Sequence, residues 1–264
     1  MKLYTETTGT GPDLFLVHGW GLNGAIWSGL RTALEANYRV TTVDLPGHGR
    51  SPGGNFDLDS VSTALCEAAP PQAHWIAWSL GGQLALHVAQ SAPQYIASLT
   101  LVASSPRFVQ APDWPHAVPT AVLAQFLEEL QRDYHATLNR FLALQVRGST
   151  EAGDTLRALR RQLFTHGEPD PVALAAGLAI LRDADLRPGL DDMTLPLQFI
   201  MGERDTLIPP SAARACAARI PTAQLDVIAG AGHAPFLSHP QEFLVALRPF
   251  LPATQAREVR SHGG

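Results

Sequence analysis

The sequence predicts an α/β fold in which a mostly parallel, doubly wound sheet carries helices on both faces and a helical insertion. Short runs of apolar residues alternate with helical stretches along most of the 264 residues. The runs are apolar on both faces, as strands of a covered parallel sheet are. The alternation stops between Ser105 and Leu195, where the pattern is mostly helical. Because such alternation gives right-handed crossovers, reactive side chains are expected at the carboxyl ends of the strands.

Each predicted strand is a short apolar run that ends in turn-forming residues, and most are followed by a stretch with helical spacing. The strands are predicted over residues 13–19, 38–47, 74–79, 98–105, 197–205 and 223–233. The helices between them are predicted over residues 24–36, 57–69, 80–92, 209–219 and 240–251. A chain of this length is long enough to bury the core of one such domain.

The helical interval opens with a long amphipathic pattern. Apolar side chains recur there at three- and four-residue spacing, at Leu123, Phe126, Leu127, Leu130, Tyr134, Leu138, Phe141 and Leu142. We interpret the interval as a lid over the strand ends rather than an independent domain. The predicted division is a core of residues 1–105 and 195–252, a helical lid insertion of residues 106–194, and a flexible tail of residues 253–264.

The amino-acid composition excludes some classes of function. The net charge is −5 and the pI about 6.0, so no overall field favours nucleic acid as a partner. Cys66 and Cys216 are the two cysteines and lie far apart, so we expect reduced packing residues and no zinc site. The sequence begins without a signal-peptide pattern, and no apolar run reaches about 18 residues. We therefore expect a cytoplasmic protein.

The segment "WIAWSLGGQLA", residues 75–85, places Ser79 between an apolar strand and a helix. A nucleophile on such a sharp strand–turn–helix elbow needs small residues two positions before and after it. Gly81 fits this requirement, and Ala77 replaces the usual glycine with one extra methyl group. The alternative interpretation is that Ser79 only caps the helix that begins near Leu80.

A serine nucleophile needs a base, and the base needs an acid to orient it. "GAGHAPFLSHP" places His233 after the last apolar run, and "MGERDTLIPP" places Asp205 after the preceding one. The order Ser79, Asp205, His233 is the order expected of this architecture. The alternative interpretations are that Asp205 caps a helix and that His233 is an ordinary loop histidine. His239 is a second candidate for the base, and we expect it to begin the last helix.

A tetrahedral intermediate also needs two preorganised N–H donors. "HGWG", residues 18–21, follows the first long apolar run, so the amides of Trp20 and Leu80 are the candidate oxyanion hole. Trp20 is alternatively a hydrophobic plug, and both roles are compatible. "DLPGHGRS" supplies Asp44, His48 and Ser51, which we interpret as loop structure because no nucleophile is expected there.

The motifs "HGWG", "DLPGHGRS", "WSLGG", "GERDTLIP" and "GAGHAPF" together resemble the α/β-hydrolase superfamily, and the resemblance extends to about Pro252. "HGWGLN", "AWSLGG", "VASSPRF", "RFLALQ" and "HAPFLSHPQEF" further resemble the pimeloyl-[acyl-carrier protein] methyl ester esterases of biotin biosynthesis. That family usually has glycine where this chain has Ala77. The resemblance implies that the substrate site is lined by Trp20, Ser79, Leu80, Phe141, Leu142, Ala143, Leu144, Gln145 and His233.

Residues 140–161 carry five arginines and two acidic residues, a net charge of +3 on a chain of −5. Arg157, Arg160 and Arg161 fall on one helical face. In the family, lid arginines dock the acidic carrier protein, and Arg140 and Arg157 match family positions. Arg160 and Arg161 are nearby substitutes, so the expected carrier contacts are these four arginines. The alternative is a solvated basic helix.

We therefore expect a cofactor-free, monomeric serine carboxylesterase that hydrolyses the methyl ester of pimeloyl-[acyl-carrier protein] through Ser79, His233 and Asp205. Its expected partner is the acylated carrier protein, with neither nucleic acid nor membrane. One alternative is a generalist short-chain carboxylesterase or C–C bond hydrolase of the same fold. Another is a ligand-binding, receptor-like module, which measurable turnover of a p-nitrophenyl ester would exclude.

Overall fold

The computed structural model describes residues 1–163 and 165–253. Its centre is a seven-stranded sheet in the order β1-β3-β2-β4-β5-β6-β7, in which β1 pairs antiparallel with β3 and the other neighbours pair parallel. The strands are β1 Thr5–Thr8, β2 Asp13–Val17, β3 Arg39–Val43, β4 Ala73–Trp78, β5 Ile96–Val102, β6 Leu197–Gly202 and β7 Ala223–Ile228.

Helices connect the strands of the sheet. Those of the alternating part are α1 Ser28–Leu34, α2 Leu58–Ala68, α3 Leu80–Ser91, α8 Pro210–Ala217, α9 Pro235–Ser238 and α10 Pro240–Leu247. Those between β5 and β6 are α4 Thr120–Arg132, α5 Tyr134–Gln145, α6 Ala152–Leu163 and α7 Pro171–Asp183. A 3₁₀ turn, Gly24–Trp27, precedes α1, so the first predicted helix begins in tighter geometry than expected.

The mostly parallel sheet and the six predicted strands are confirmed, with two corrections. The prediction missed β1, because its sequence TETT is polar and a partly exposed edge strand needs no apolar run. The last strand, β7, was expected to be covered on both faces. It lies at the other edge of the sheet and is largely half-exposed or exposed.

Aromatic side chains fix the loop that follows β7 onto the core. Phe236 in α9 packs against Trp27 at a ring-centroid distance of 4.3 Å and against Trp78 at 5.2 Å. The ring of Phe243 in α10 contacts the Phe236 ring at a centroid distance of 6.0 Å. Burial of rings of this size gives a large apolar contribution. The last residue of β4 and the loop leading into α9 are therefore held together by packing.

The interval between β5 and β6 is helical, as the spacing of its apolar residues predicts. The long amphipathic stretch forms two helices, because Asp133 between them has an extended backbone and caps α5 through the amide of Ala136. Helix α4 packs against α5 and α7, and α6 packs against α9 and the 3₁₀ turn. Of the predicted tail, residues 254–264 lie outside the described residues.

Cys66 and Cys216 are both free, as the sequence indicated, and burial raises the pKa of the Cys216 thiol to about 12. Within the described residues, no helix is long and apolar enough to cross a bilayer. The same part of the chain holds no group of three or more His, Cys, Asp or Glu side chains suited to a metal ion.

Candidate active site

Ser79 occupies a strained turn between β4 and α3. Its backbone φ is +56° and ψ is −121°, a region that non-glycine residues rarely adopt. The side chain makes no capping hydrogen bond to the helix, so the alternative role as a helix cap is not what the geometry supports. The carbonyl of Ser79 accepts a hydrogen bond from Ser104 Oγ at 2.8 Å. Ser104 follows β5, so this contact holds the turn in place from the neighbouring strand.

The elbow has room for alanine on its strand side and none on its helix side. A methyl group on Gly81 would lie 2.3 Å from the carbonyl oxygen of His18. On Gly82 it would lie 2.5 Å from the Ser104 side chain. Ala77, by contrast, is fully buried in β4 opposite Val17 with the elbow formed. The departure from the family pattern is therefore accommodated within the strand.

The structure brings the three predicted catalytic side chains into one hydrogen-bonded chain. Ser79 Oγ lies 2.9 Å from His233 Nε2, and His233 Nδ1 lies 2.7 Å from Asp205 Oδ2. Since a carboxylate only accepts, Nδ1–H donates to Asp205 and Nε2 is left to accept the Ser79 proton. Each of these residues is at most 4% exposed, so water screens the chain little.

Backbone contacts fix the acid and the base. The second carboxylate oxygen of Asp205, Oδ1, accepts the amides of Leu207 and Ile208 at 2.8 and 3.0 Å. The amide of His233 donates to the carbonyl of Gln145 at 2.9 Å. Its carbonyl accepts the indole N–H of Trp78 at 2.8 Å. The imidazole is therefore oriented from α5, β4 and the loop after β6 at once.

His239, the rival base, lies away from Ser79. It is the N-cap residue of α10, as expected from the sequence, and its ring nitrogens face Ser238 Oγ at 2.8 Å and Thr150 Oγ1 at 3.3 Å. The side chain therefore belongs to the surface beside α10.

The "DLPGHGRS" loop is held by internal hydrogen bonds, as its interpretation as loop structure predicts. Asp44 accepts the amides of Gly24 at 2.6 Å and Arg50 at 2.8 Å. The hydroxyl of Ser51 donates to the Asp44 carbonyl at 2.6 Å and accepts the amide of Tyr4 at 2.8 Å. The Ser51 hydroxyl thus both donates and accepts within the loop, and among the described residues it makes no hydrogen bond to an imidazole.

Two histidines next to the site are buried in neutral form. His18 accepts the amide of Leu45 on Nε2 at 2.9 Å, and burial lowers its pKa. Burial, together with the neighbouring His18, lowers the pKa of His48 to about 3. Their rings are 5.5 Å apart. Because the charged form of either ring would be desolvated, these two histidines add no positive charge to the site.

Trp20 and Leu80, the candidate oxyanion donors, flank the nucleophile. Leu80 is the first residue of α3, and the amide of a first helical residue has no partner within its helix. The "HGWG" loop touches the nucleophile, since a methyl group on Gly19 would lie 3.1 Å from Ser79 Cβ. The indole of Trp20 is buried and donates to the carbonyl of Leu174 at 2.8 Å. Trp20 is therefore a packed wall as well as a candidate donor.

The segment from Phe141 to Gln145 presents two different faces. Phe141 and Leu142 are buried, and the Phe141 ring packs edge-on against Trp20 at 4.8 Å. Gln145 is buried too, and within the described residues its side-chain oxygen has no hydrogen-bond partner. Leu144 is half-buried and Ala143 is exposed, so Ala143 lies on the opposite face of α5.

The four predicted carrier contacts are all exposed on α5 and α6. Arg140 forms an ion pair with Glu129 and lies 5.3 Å from the centre of the Phe126 ring. Arg157 forms an ion pair with Asp154. Within the described residues, Arg160 and Arg161 have no acidic partner in ion-pair distance. Half of the predicted patch is therefore already neutralised by neighbours.

A second Ser–His–Asp arrangement lies on the surface between α2 and α3. Ser62 Oγ is 3.1 Å from His87 Nδ1, and His87 Nε2 is 3.3 Å from Asp59. Ser62 lies inside α2, where backbone amides are bonded within the helix, and the Asp59 side chain is 90% exposed. The arrangement therefore lacks an oxyanion hole and a buried acid.

Comparisons with known proteins show which family the chain resembles. A model described as the alpha/beta hydrolase family matches residues 14–247. A pimeloyl-[acyl-carrier protein] methyl ester esterase of Stenotrophomonas maltophilia is 45% identical over 253 residues, covering 95% of this chain and 97% of that protein. The protein of the same name from Aliivibrio salmonicida is 42% identical, covering 95% and 96%.

Among solved structures, an esterase from Exiguobacterium antarcticum superposes with a TM-score of 0.83 and covers 94% of both chains. Its sequence identity is 21%, so it supports the fold alone. Together these matches confirm the resemblance that the motifs indicated.

Proposed function

We propose that this chain, which belongs to the alpha/beta hydrolase family and within it to the pimeloyl-[acyl-carrier protein] methyl ester esterases, hydrolyses that methyl ester in biotin biosynthesis. The observation that carries the proposal is the buried hydrogen-bonded chain from Ser79 through His233 to Asp205, formed at a strained elbow. The enzyme acts without a cofactor, in the cytoplasm and as a monomer.

Acylation begins when Ser79 Oγ attacks the methyl ester carbonyl and His233 Nε2 takes the hydroxyl proton. Asp205 orients the imidazole and stabilises its cationic form through Nδ1–H. The amides of Trp20 and Leu80 stabilise the charge that develops on the carbonyl oxygen. His233 then gives its proton to the leaving methoxide, and methanol departs.

Deacylation repeats the same steps with water. His233 takes a proton from a water molecule, which attacks the acyl-enzyme carbonyl. The second tetrahedral intermediate uses the same two amides and collapses when His233 returns the proton to Ser79 Oγ. The product is the free carboxylate of pimeloyl-[acyl-carrier protein], and the thioester to the carrier is left intact.

The insertion of residues 106–194 acts as a lid over the core of residues 1–105 and 195–252. Ser79 is 2% exposed and His233 1% exposed, so both catalytic side chains lie beneath the protein surface. Phe141, Leu142, Leu144 and Gln145 line the acyl site beside Trp20. Ala143 belongs to the same predicted segment but lies on the exposed face of α5, away from this wall.

The arginines of α5 and α6 receive the acidic carrier. Arg160 and Arg161 are exposed, while Arg140 and Arg157 exchange their present acidic partners for those of the carrier. Surface ion pairs of this kind contribute little to stability, so their exchange costs little. Complementary charge mainly raises the association rate.

The test is a substrate panel in which the methyl esters of adipoyl, pimeloyl and suberoyl groups are carried on acyl carrier protein. We expect the highest kcat/KM for the pimeloyl ester, and a large loss when the same ester is offered without the carrier. Equal rates for all three chains and for the free esters would instead identify a generalist short-chain carboxylesterase.

A further inference from the structure

Gly177 in α7 lies against both candidate oxyanion residues at once. A methyl group on Gly177 would lie 2.8 Å from Trp20 Cδ1 and 3.1 Å from Leu80 Cδ2. The next nearest atom is the indole nitrogen of Trp20, at 3.3 Å. Helix α7 therefore packs against these two side chains at a position where it has no side chain of its own.

Trp20 has little freedom to move away from such a methyl group. Its indole N–H donates to the Leu174 carbonyl, one turn earlier on α7, at 2.8 Å. Its ring packs against Phe141 on the other side at 4.8 Å. A displaced indole would therefore shift the backbone of the "HGWG" loop.

Helix α7 is itself anchored on the core. The amide of Asp170, which caps α7, donates to the carbonyl of Gly47 at 2.7 Å. A methyl group on Gly47 would lie 2.7 Å from Ala173 Cβ, so the helix and that loop are in close contact. Leu174 and Leu178 are fully buried. Helix α7 is therefore held in place on the core, and the Trp20 loop packs against it.

We propose that Gly177 is a positioning residue for the oxyanion hole, holding the amides of Trp20 and Leu80 at the separation that the tetrahedral intermediates require. The proposal rests on the proposed function, since it concerns the same hydrolysis. Gly177 touches neither substrate nor reacting atoms and acts through the two residues it packs against. Its absence of a side chain lets α7 hold both at the observed distance.

The test compares Gly177→Ala with Gly29→Ala. Gly29 lies in α1, and a methyl group there would meet nothing within 4 Å. Alanine favours the helix in both variants, so helix propensity raises the stability of each. We expect Gly177→Ala to lower kcat for p-nitrophenyl butyrate about 10- to 100-fold, below the 10²- to 10³-fold typical of losing an oxyanion donor. Gly29→Ala should keep the wild-type kcat.

Two further readouts separate positioning from general packing. KM should stay within about twofold, because the ground-state carbonyl carries little of the charge that the amides stabilise. The inhibition constant of a trifluoromethyl ketone, which forms a tetrahedral adduct with Ser79, should rise by about the same factor as kcat/KM falls. An unchanged inhibition constant, or a kcat within twofold of wild type, overturns the proposal.

A second variant covers the case in which Gly177→Ala does not fold. Trp20→Phe keeps the backbone amide and an aromatic ring but removes the donor to Leu174, and it should also lower kcat and raise the inhibition constant of the trifluoromethyl ketone. Wild-type kcat in this folded variant would refute the proposal. Absence of ester turnover by the wild-type enzyme overturns the proposed function and this inference together, whereas normal wild-type turnover with unaffected variants overturns this inference alone.

Discussion

Acid stability should depend on His48, which is 1% exposed beneath the active-site loops. Burial lowers its pKa from 6.5 to about 3 in the folded protein. At pH values below 6.5, His48 binds a proton in the unfolded chain but stays neutral in the folded protein. The free energy of unfolding therefore falls as the pH falls. The effect spans the window from about pH 6.5 down to about pH 3.

The magnitude follows from the width of that window. At pH 4.5 the unfolded side chain is about two pH units below its ordinary pKa, and each unit is about 1.4 kcal/mol. Between pH 7 and pH 4.5 the loss from His48 is therefore about 2.5 kcal/mol. This figure holds for any folded-state pKa well below 4.5.

The assay is urea unfolding of wild type and His48→Asn at both pH values. The variant lacks the titrating group, so its loss of stability between pH 7 and pH 4.5 should be smaller by about 2.5 kcal/mol. Phe56→Leu is the matched control, because the Phe56 ring lies 5.9 Å from the His48 ring and does not titrate. The control should lower stability equally at both pH values. Equal pH dependence in wild type and His48→Asn would refute the reasoning.

Three further predictions concern the site and its rim. Ser79→Ala should lower esterase kcat about 10⁴-fold or more with an unchanged thermal unfolding temperature, and more than a tenth of wild-type turnover would exclude Ser79 as the nucleophile. Gly81→Ala should abolish turnover and lower the thermal unfolding temperature, because its methyl group would lie 2.3 Å from the His18 carbonyl, and a folded, active variant would contradict this packing. Arg160→Ala combined with Arg161→Ala should lower kcat/KM for the carrier-bound ester about tenfold at low salt and flatten its salt dependence. Turnover of a p-nitrophenyl ester should be unaffected by the two arginine changes, and an equal loss on both substrates would mean that these arginines hold the lid together.

The central strands were predictable because a covered parallel sheet imposes continuous apolar runs on the sequence. The two edges of the sheet carry weaker constraints. β1 is polar and gave no signal, and β7, with the sequence AQLDVI, carries polar residues at Gln224 and Asp226 and is half-exposed. Edge strands pair on one side only, so side-chain periodicity alone does not identify them.

The candidate site was predictable to the extent that its residues follow strands in a fixed order. Ser79, Asp205 and His233 each come directly after an apolar run, and the topology places those strand ends together. Their catalytic roles stay predictions. No local pattern signals the carbonyl of Gln145 that holds His233, because the contact joins residues 88 positions apart.

The arginine patch shows a second limit of sequence reasoning. A count of charges along residues 140–161 gives a net +3, but it leaves out Glu129, which lies outside that range and pairs with Arg140. Local net charge therefore overstates what the folded surface offers. Within the described residues, the exposed arginines of this range without an acidic partner are Arg147, Arg160 and Arg161, which the count does not distinguish from the others.

In the proposed mechanism, the reaction with carrier-bound pimeloyl methyl ester passes through an acyl-enzyme in which the carrier is itself linked to the protein. Attack of Ser79 on the methyl ester would release methanol and leave the pimeloyl group esterified to Ser79 at one end and thioester-linked to the carrier at the other. Rapid acid quenching followed by intact-mass spectrometry measures this species directly. We expect an adduct with the mass of the enzyme plus the carrier-bound methyl ester less one methanol, with the modification on the peptide that contains Ser79. An adduct that lacks the carrier would mean attack on the thioester, and either that result or an adduct on another residue would exclude Ser79 attack on the methyl ester.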